Sequence, residues 1–173
     1  MYNIIQALKY YMKKCKMISL DTSSVASGWA YFENGILKEH GVIYKDKTLD
    51  KEDNLYYMCR NLIELLKYFK PHIIVIEMTV VERNAQVQRL LSEIVGVVRC
   101  YAIMHKDVDF VRKRPTEWRK LTKDEYYPEK GKKEDLKKWS VEKVKRDYGI
   151  ECDDNEADAI LIGQARINEF SNL

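Results

Sequence analysis

The sequence predicts an α/β fold in which a five-stranded mixed sheet carries helices on both faces. Two features of the sequence lead to this prediction. Three strand-like segments near the N-terminus follow one another with short turns between them, which is typical of antiparallel strands. Helix-like and strand-like segments then alternate, which is typical of parallel strands joined by helical crossovers. A chain of 173 residues is long enough for one domain with its own core.

The antiparallel part comes first. Residues 18–21 alternate between apolar and polar side chains, which is the two-residue period of a strand. A polar turn follows, and aromatic residues favour a second strand over residues 28–32. Asn34-Gly35 is a hairpin-turn signal and leads into a third strand over residues 36–44.

The rest of the chain alternates between helices and strands. Apolar residues at helical spacing predict helices over residues 50–70, 83–104, 134–148 and 154–170, with a further helical turn opening at Pro115. Residues 72–77 and 108–111 are the remaining strands, and the first is apolar on both faces, as expected of a central parallel strand. Residues 120–133 are polar and predict a mobile loop. Residues 1–16 predict an amphipathic helical extension that precedes the domain, residues 17–173.

Charge is segregated along the chain, although the net charge is only +3. Lys and Arg are concentrated between residues 112 and 146, whereas residues 151–158 are acidic, which favours a polyanionic partner and an acidic site. The four cysteines are far apart and form no CxxC pair, which argues against zinc and for a reducing compartment. Without a signal peptide or an apolar run of roughly 20 residues, we expect a cytoplasmic protein with no membrane partner.

Three carboxylates each end or open an apolar element. Asp21 ends the first strand, Glu77 ends the buried strand, and Asp158 lies too far into the last helix to cap it and faces its apolar side. Burying unpaired carboxylates is unfavourable, and a divalent cation would offset that cost for all three. Oxygen ligands favour Mg²⁺ or Mn²⁺, and two such ions about 4 Å apart would serve phosphodiester hydrolysis.

Each carboxylate also has an ordinary structural interpretation. Asp21 alone is more often a turn residue, and Glu77 alone could pair with a basic neighbour such as Arg83. Residues 153–155 are natural N-cap residues of the last helix. The joint placement of the three acids, rather than any one of them, favours a site.

Four motifs occur in order between residues 18 and 170. They are Leu-Asp-Thr-Ser-Ser…Gly-Trp-Ala (20–30), Ile-Ile-Val-Ile-Glu (73–77), Arg-Pro-Thr-Glu-Trp-Arg (114–119) and Glu-Ala-Asp-Ala-Ile (156–160). In this order and spacing the chain resembles the RuvC family of Holliday-junction resolvases, within the RNase H-like superfamily, and is most similar to its short phage and Firmicute members. The resemblance implies an RNase H-like fold and a homodimer that cuts branched DNA with Mg²⁺ or Mn²⁺ in recombination and repair. It also implies the cytoplasm of a bacterium or a phage-infected host.

The resemblance implies roles for individual residues as well. It places metal ligands at Asp21, Glu77 and Asp158. The family usually has a fourth acidic or histidine ligand where this chain has Asn155, whose carbonyl oxygen can bind a metal but carries no charge. Asp154, one turn before Asp158, is the alternative fourth ligand. An uncharged residue at this position is compatible with weakened catalysis.

The basic segment predicts contacts with DNA phosphates. The candidates are Arg112, Arg114, Lys132, Lys133, Lys137 and Lys138. A solvated helix surface explains many of these charges equally well. By the resemblance, one lysine of residues 132–138 approaches the carboxylates and stabilises the transition state, and Lys138 is the candidate. Trp118 is expected in the core, and Val80 and Val81 stand where bacterial members carry a stacking aromatic residue.

Other functions share parts of this pattern. An Asp before a polar turn also opens the phosphate loops of actin-like and sugar-kinase-like ATPases. Those loops need glycine where this chain has Ser23 and Ser24, and they need a second lobe, so no nucleotide cofactor is expected. An RNase H that acts on RNA–DNA hybrids would use the same metal site. A junction-binding protein without catalysis is suggested by Asn155.

Overall fold

A computed structural model describes residues 15–78 and 84–171. The strands are β1 (Lys16–Thr22), β2 (Ala26–Glu33), β3 (Ile36–Tyr44), β4 (Ile73–Glu77) and β5 (Asp109–Lys113). The helices are α1 (Lys51–Phe69), α2 (Ala85–Met104), α3 (Pro115–Thr122), α4 (Lys133–Tyr148) and α5 (Asp154–Ser171). The strands form one sheet in the order β3-β2-β1-β4-β5, in which β1, β2 and β3 are antiparallel and β4 and β5 are parallel to β1. This sheet confirms the predicted fold class.

Some predictions fall outside the described residues. The helical extension over residues 1–16 lies there except for its last two residues. Val80, Val81 and the suggested Glu77 partner Arg83 lie there as well. In the part of the chain that is described, no helix combines the length and the apolarity needed to cross a bilayer.

Turns and helix ends follow the local sequence signals. α1 begins after Asp50, whose side chain accepts a hydrogen bond from the backbone N–H three residues on at 2.9 Å. It ends at Lys70, which has a left-handed φ of 47°. Gly149 ends α4 with a φ of 70°. Asn34 and Gly35 both have positive φ, as the tight turn between β2 and β3 requires.

The two faces of the sheet are covered by different helices. α1 and α2 pack on one face, and α5, with α3 and α4 beside it, packs on the other. Alternation along the strands decides which side chain reaches which face. Ser19 and Val75 belong to the α5 face, whereas Leu20 belongs to the α1 and α2 face. Asp21 and Glu77 therefore point toward α5.

Small and polar residues allow α5 to lie close to the sheet. The Ser19 hydroxyl donates a hydrogen bond to the Ala159 backbone carbonyl at 2.7 Å. A Cβ atom at Gly28 would overlap the backbone carbonyl of Asn155, so only glycine lets the start of the helix approach β2 this closely. The glycine of the first motif is therefore explained by helix packing.

The edge strand β3 holds the start of α5 from the side. Tyr44 donates a hydrogen bond to the Asp153 carboxylate, and Nδ1 of His40 lies 2.9 Å from Oε1 of Glu156. The Glu156 backbone N–H in turn donates to Asp153 Oδ1 at 2.9 Å, as in an N-terminal capping box. These contacts fix the first turn of the helix relative to the sheet.

Residues 123–132 contain neither helix nor strand, as their polar sequence predicts. The prediction of a mobile loop overlooked Asp124, which fastens this segment to α4. The Asp124 carboxylate accepts hydrogen bonds from the Trp139 indole N–H at 2.9 Å and from the Arg146 guanidinium at 2.8 Å, and Nζ of Lys143 lies 3.4 Å away. We call these four residues the Asp124 hub.

Candidate active site

The ends of β1 and β4 place two acidic side chains side by side. The parallel register pairs Leu20 with Ile76, so Asp21 and Glu77 are neighbours at the same edge of the sheet. Asp158, in the second turn of α5, is 8% exposed and interacts electrostatically with both. We call Asp21, Glu77 and Asp158 the carboxylate cluster. The structure therefore brings together the three acids that the sequence singles out.

The negative charge of this cluster is poorly compensated. Burial, followed by the charges of Glu77 and Asp158, holds the pKa of Asp21 well above its ordinary value. Burial also raises the pKa of Glu77, while a hydrogen bond from Trp118 opposes the rise and the charge of Asp158 adds to it. Burial raises the pKa of Asp158 to about 6 despite lowering contributions from neighbouring polar groups. The protein's own cations therefore do not neutralise the cluster.

Asp158 illustrates this incomplete compensation at the level of single atoms. Its Oδ1 is buried without a hydrogen bond of good geometry among the described residues, although the nearby Ser140 hydroxyl lowers the pKa of Asp158. Nη2 of Arg119 lies 3.8 Å from Oδ2, which is an ion pair without a hydrogen bond. Nε of Arg119 is also buried without a partner in the described part of the chain. Buried polar atoms of this kind are uncommon, and two of them here belong to an acid and a base that lie side by side.

One face of α4 is turned toward the carboxylate cluster. Lys133, Lys137 and Ser140 lie on it at helical spacing. Lys137 binds the Asp154 carboxylate, and its charge lowers the pKa of both Asp21 and Asp158. The charge of Lys133 lowers the pKa of Glu77. These two lysines are therefore the α4 cations nearest to the acids.

Lys138 does not occupy the position that the sequence analysis expects. Its side chain is exposed and lines a small cavity with Tyr126 and Trp139, on the side of α4 that carries the Asp124 hub. A shift of one residue rotates a helical side chain by about 100°, so adjacent lysines of α4 face different parts of the molecule. Lys137 is the residue that the structure places beside the cluster.

Trp118 has a role that the sequence analysis missed. It lies in the core, as expected, and is fully buried. Its indole N–H also donates a hydrogen bond to Oε2 of Glu77 at 2.6 Å. The next residue in α3, Arg119, pairs with Asp158. The Arg-Pro-Thr-Glu-Trp-Arg motif (114–119) is the sequence feature that could have revealed these contacts. Its last two residues are adjacent in one short helix, and each reaches a different acid of the cluster.

The two candidates for a fourth metal ligand have other contacts. Asp154 is bound by Lys137, and its charge raises the pKa of Asp158, so it lies close to the cluster. The Asn155 side chain interacts with Asp153, whose pKa it lowers. Asp154 therefore contributes charge next to the cluster, whereas Asn155 takes part in the start of α5.

The predicted DNA-binding residues surround this part of the molecule. Arg112 and Arg114 are exposed on β5 and at the start of α3, next to the strand end that carries Glu77. Lys132 is exposed at the start of α4. Lys113, between the two arginines, is buried and bound to Glu169 instead. The exposed cations thus flank the acidic cluster and leave a charged surface suited to phosphates.

The donor set fits a hard divalent cation. Three carboxylates supply oxygen ligands, and the unpartnered Oδ1 of Asp158 is available to a metal. Within residues 15–78 and 84–171, however, no three His, Cys, Asp or Glu side chains are already arranged around one ion position. Binding would therefore require a rearrangement of side chains within the cluster.

Neither a protein-family model nor a curated protein sequence matches this chain. Solved structures do match. RuvC of Thermus thermophilus, in complex with Holliday junction substrate, has a TM-score of 0.70 over 91% of this chain and 96% of its own, at 13% sequence identity. The chain has the fold of RuvC.

Two further structures share the RuvC fold with this chain. The yeast mitochondrial Holliday junction resolvase Ydc2 has a TM-score of 0.59 at 10% identity, covering 98% of this chain and 85% of its own. The fowlpox virus resolvase, in complex with Holliday junction DNA, has a TM-score of 0.50 at 14% identity. The match covers 91% of this chain and 97% of the resolvase chain. The match spans nearly the whole chain, so the RuvC fold is not limited to the sheet.

Proposed function

We propose that this protein is a metal-dependent, structure-selective DNA endonuclease that resolves four-way junctions. The observation that carries the proposal is the carboxylate cluster, in which acids from β1, β4 and α5 lie together with raised pKa values and incomplete pairing. Cations flank it on β5, α3 and α4. Likeness in fold to three Holliday junction resolvases supports the choice of substrate.

Each acid has a stated part in this proposal. Asp21, Glu77 and Asp158 would hold the metal, with Asp154 or Asn155 assisting. Two ions of Mg²⁺ or Mn²⁺ held there would activate the attacking water and stabilise the leaving oxygen. The products would carry 5′-phosphate and 3′-hydroxyl ends.

The cations have separate parts. Lys137 and Arg119 lie next to the acids, where they would stabilise the negative charge that builds up on the scissile phosphate. Arg112, Arg114 and Lys132 are exposed and would contact the junction backbone, so affinity should fall steeply with salt. Phosphate contacts recognise the shape of a junction rather than its sequence.

A nicking assay tests this function. A labelled four-way junction, a linear duplex of matching sequence and an RNA–DNA hybrid are each incubated with the protein, in Mg²⁺ and in EDTA. We expect Mg²⁺-dependent, paired and symmetric nicks in the junction alone. Cleavage of the hybrid alone would assign the protein to RNase H chemistry, and cleavage in EDTA would contradict the metal site.

The same assay separates an enzyme from a binding protein. Tight junction binding without nicks would point to the uncharged Asn155, and Asn155→Asp should then restore cleavage. Failure of that substitution would favour a junction-binding protein. Symmetric nicking also requires two active sites, so we propose a homodimer, which light scattering of the purified protein would detect as twice the mass of one chain.

A further inference from the structure

The indole N–H of Trp118 is a polar group placed inside an apolar core. The side chain has no exposed surface and packs with residues of α5 and β4. Its single polar atom donates a 2.6 Å hydrogen bond to one oxygen of Glu77. A phenylalanine would fill most of the same apolar space, so packing alone does not explain a tryptophan here.

The hydrogen bond has a specific consequence for Glu77. A glutamate side chain rotates about three bonds, so a hydrogen bond to one carboxylate oxygen removes much of its rotational freedom. The indole engages Oε2, so Oε1 is the oxygen that takes no part in this hydrogen bond. A neutral donor holds the carboxylate without adding a cation that would compete with a metal.

We infer that Trp118 is a positioning residue, which orients the Glu77 carboxylate so that one oxygen is presented to the metal. The inference rests on the proposed function, because it assigns a purpose to Glu77 as a ligand. Outer hydrogen bonds of this kind orient ligating carboxylates, and their loss commonly weakens metal binding by about 10- to 100-fold.

The chain contains a matched control for this contact. Trp139 is also buried, and its indole N–H also donates to a carboxylate, that of Asp124, at 2.9 Å. This second pair belongs to the Asp124 hub and does not include any acid of the cluster. Trp118→Phe and Trp139→Phe therefore remove the same chemical group at two places, and only the first should affect the metal.

The first test measures Mn²⁺ binding without any substrate. Titration followed by electron paramagnetic resonance of free Mn²⁺ gives the dissociation constant for the wild type and both variants. We expect Trp118→Phe to weaken binding about tenfold or more, and Trp139→Phe to change it by less than about twofold. Equal affinity for wild type and Trp118→Phe would overturn the inference, as would equal weakening in both variants.

A second test leaves Trp118 in place, in case its replacement prevents folding. The three tryptophans give three indole N–H signals in a nitrogen–proton correlation spectrum, and Trp29→Phe and Trp139→Phe assign them. In the metal-free protein, Glu77→Gln should shift the Trp118 signal because the acceptor loses its charge, and should leave the Trp139 signal unmoved. An unshifted Trp118 signal would overturn the inference.

The two tests also separate this inference from the function on which it rests. If the wild type binds no Mn²⁺, the proposed metal site fails and the inference fails with it. If the wild type binds Mn²⁺ and Trp118→Phe binds it equally well, the metal site stands and the inference alone fails.

Discussion

The carboxylate cluster and the Asp124 hub place similar groups in opposite electrostatic states. Burial alone would raise the pKa of Asp124, but hydrogen bonds from Trp139 and Arg146 and the charge of Lys143 lower it to about 2. In the cluster, burial raises the pKa of Asp158 to about 6, and the pKa values of its two partners are raised as well. Both places contain an indole donor, so the difference lies first in how deeply each acid is buried and then in the cations and hydrogen bonds beside it.

This difference separates structure from function. The hub has one carboxylate and two neighbouring cations, which fasten residues 123–132 to α4, and Lys143 also pairs with Asp147 of its own helix at 2.7 Å. The cluster has three carboxylates, and Arg119, Lys133 and Lys137 stabilise their charges only in part, because burial still holds the three pKa values above the ordinary ones. Excess buried negative charge destabilises a fold unless something else supplies positive charge. A bound metal would offset this cost in the cluster, whereas the hub already has its cations.

The largest expected effect is on cleavage. Asp21→Asn or Glu77→Gln should lower the single-turnover rate of junction cleavage at least about a hundredfold, because each removes a ligand charge from the metal site. Junction affinity, measured by mobility shift in EDTA, should be retained because the phosphate contacts lie elsewhere. Asp124→Asn is the control. It makes the same chemical change in the hub, and the folded variant should keep most of the wild-type cleavage rate. A near-normal cleavage rate for Asp21→Asn would show that Asp21 is not a metal ligand.

The next largest effect is a loss of stability when the Asp124 hub is disrupted. Asp124→Asn should lower the free energy of unfolding by about 2 kcal/mol, because it weakens charge-assisted hydrogen bonds from Trp139 and Arg146 and leaves Lys143 paired with Asp147 alone. Urea denaturation measures this. Asp107→Asn, on an exposed turn, should change the same quantity by less than about 0.5 kcal/mol. Equal effects in both variants would show that the hub adds nothing to stability.

A smaller effect distinguishes two adjacent lysines of α4. Lys137→Met should slow cleavage about tenfold or more at saturating junction, because it removes a positive charge beside the acids. Lys138→Met faces the hub side and should change the saturated rate by less than about twofold, while it weakens affinity at low salt. The reverse order would restore Lys138 as the catalytic lysine.

The three acids could be predicted from sequence because each is defined locally. Asp21 and Glu77 follow apolar strands, and Asp158 lies on an apolar helical face, so neighbouring residues reveal their positions. The order of strands and helices likewise predicts the mixed sheet, because strand connections obey strong rules. Local pattern was enough for the fold and for the acids.

Partners distant in sequence could not be predicted. Trp118 and Glu77 are 41 residues apart, and Asp124 and Arg146 are 22 apart. Neither the amino-acid composition nor the hydrophobic periodicity specifies which buried indole donates a hydrogen bond to which carboxylate. The lysine nearest to the acids was hard to identify for a related reason, since an error of one residue moves a side chain to a different face of the helix.

The smallest effect is a pH dependence that has opposite sign in the two regions. Because the pKa of Asp158 is raised in the folded state, its contribution to stability is fully present below about pH 4 and is lost as the pH rises through about 6. Because the pKa of Asp124 is lowered, its contribution is present above about pH 4 and is lost as the pH falls through about 2.

Asp158→Asn should therefore make the metal-free protein more stable than the wild type at pH 8, by about 1 kcal/mol, since an amide avoids the burial of charge but still buries a polar group. The gap should close as the pH is lowered to about 4. Thermal unfolding in EDTA across this range measures it. Mg²⁺ should then stabilise the wild type above pH 6 and leave Asp158→Asn nearly unchanged, because only the wild type has a full set of charges for the ion to neutralise. Equal stabilisation of both proteins by Mg²⁺ would mean that the ion binds elsewhere, and that the raised pKa of Asp158 reflects burial alone.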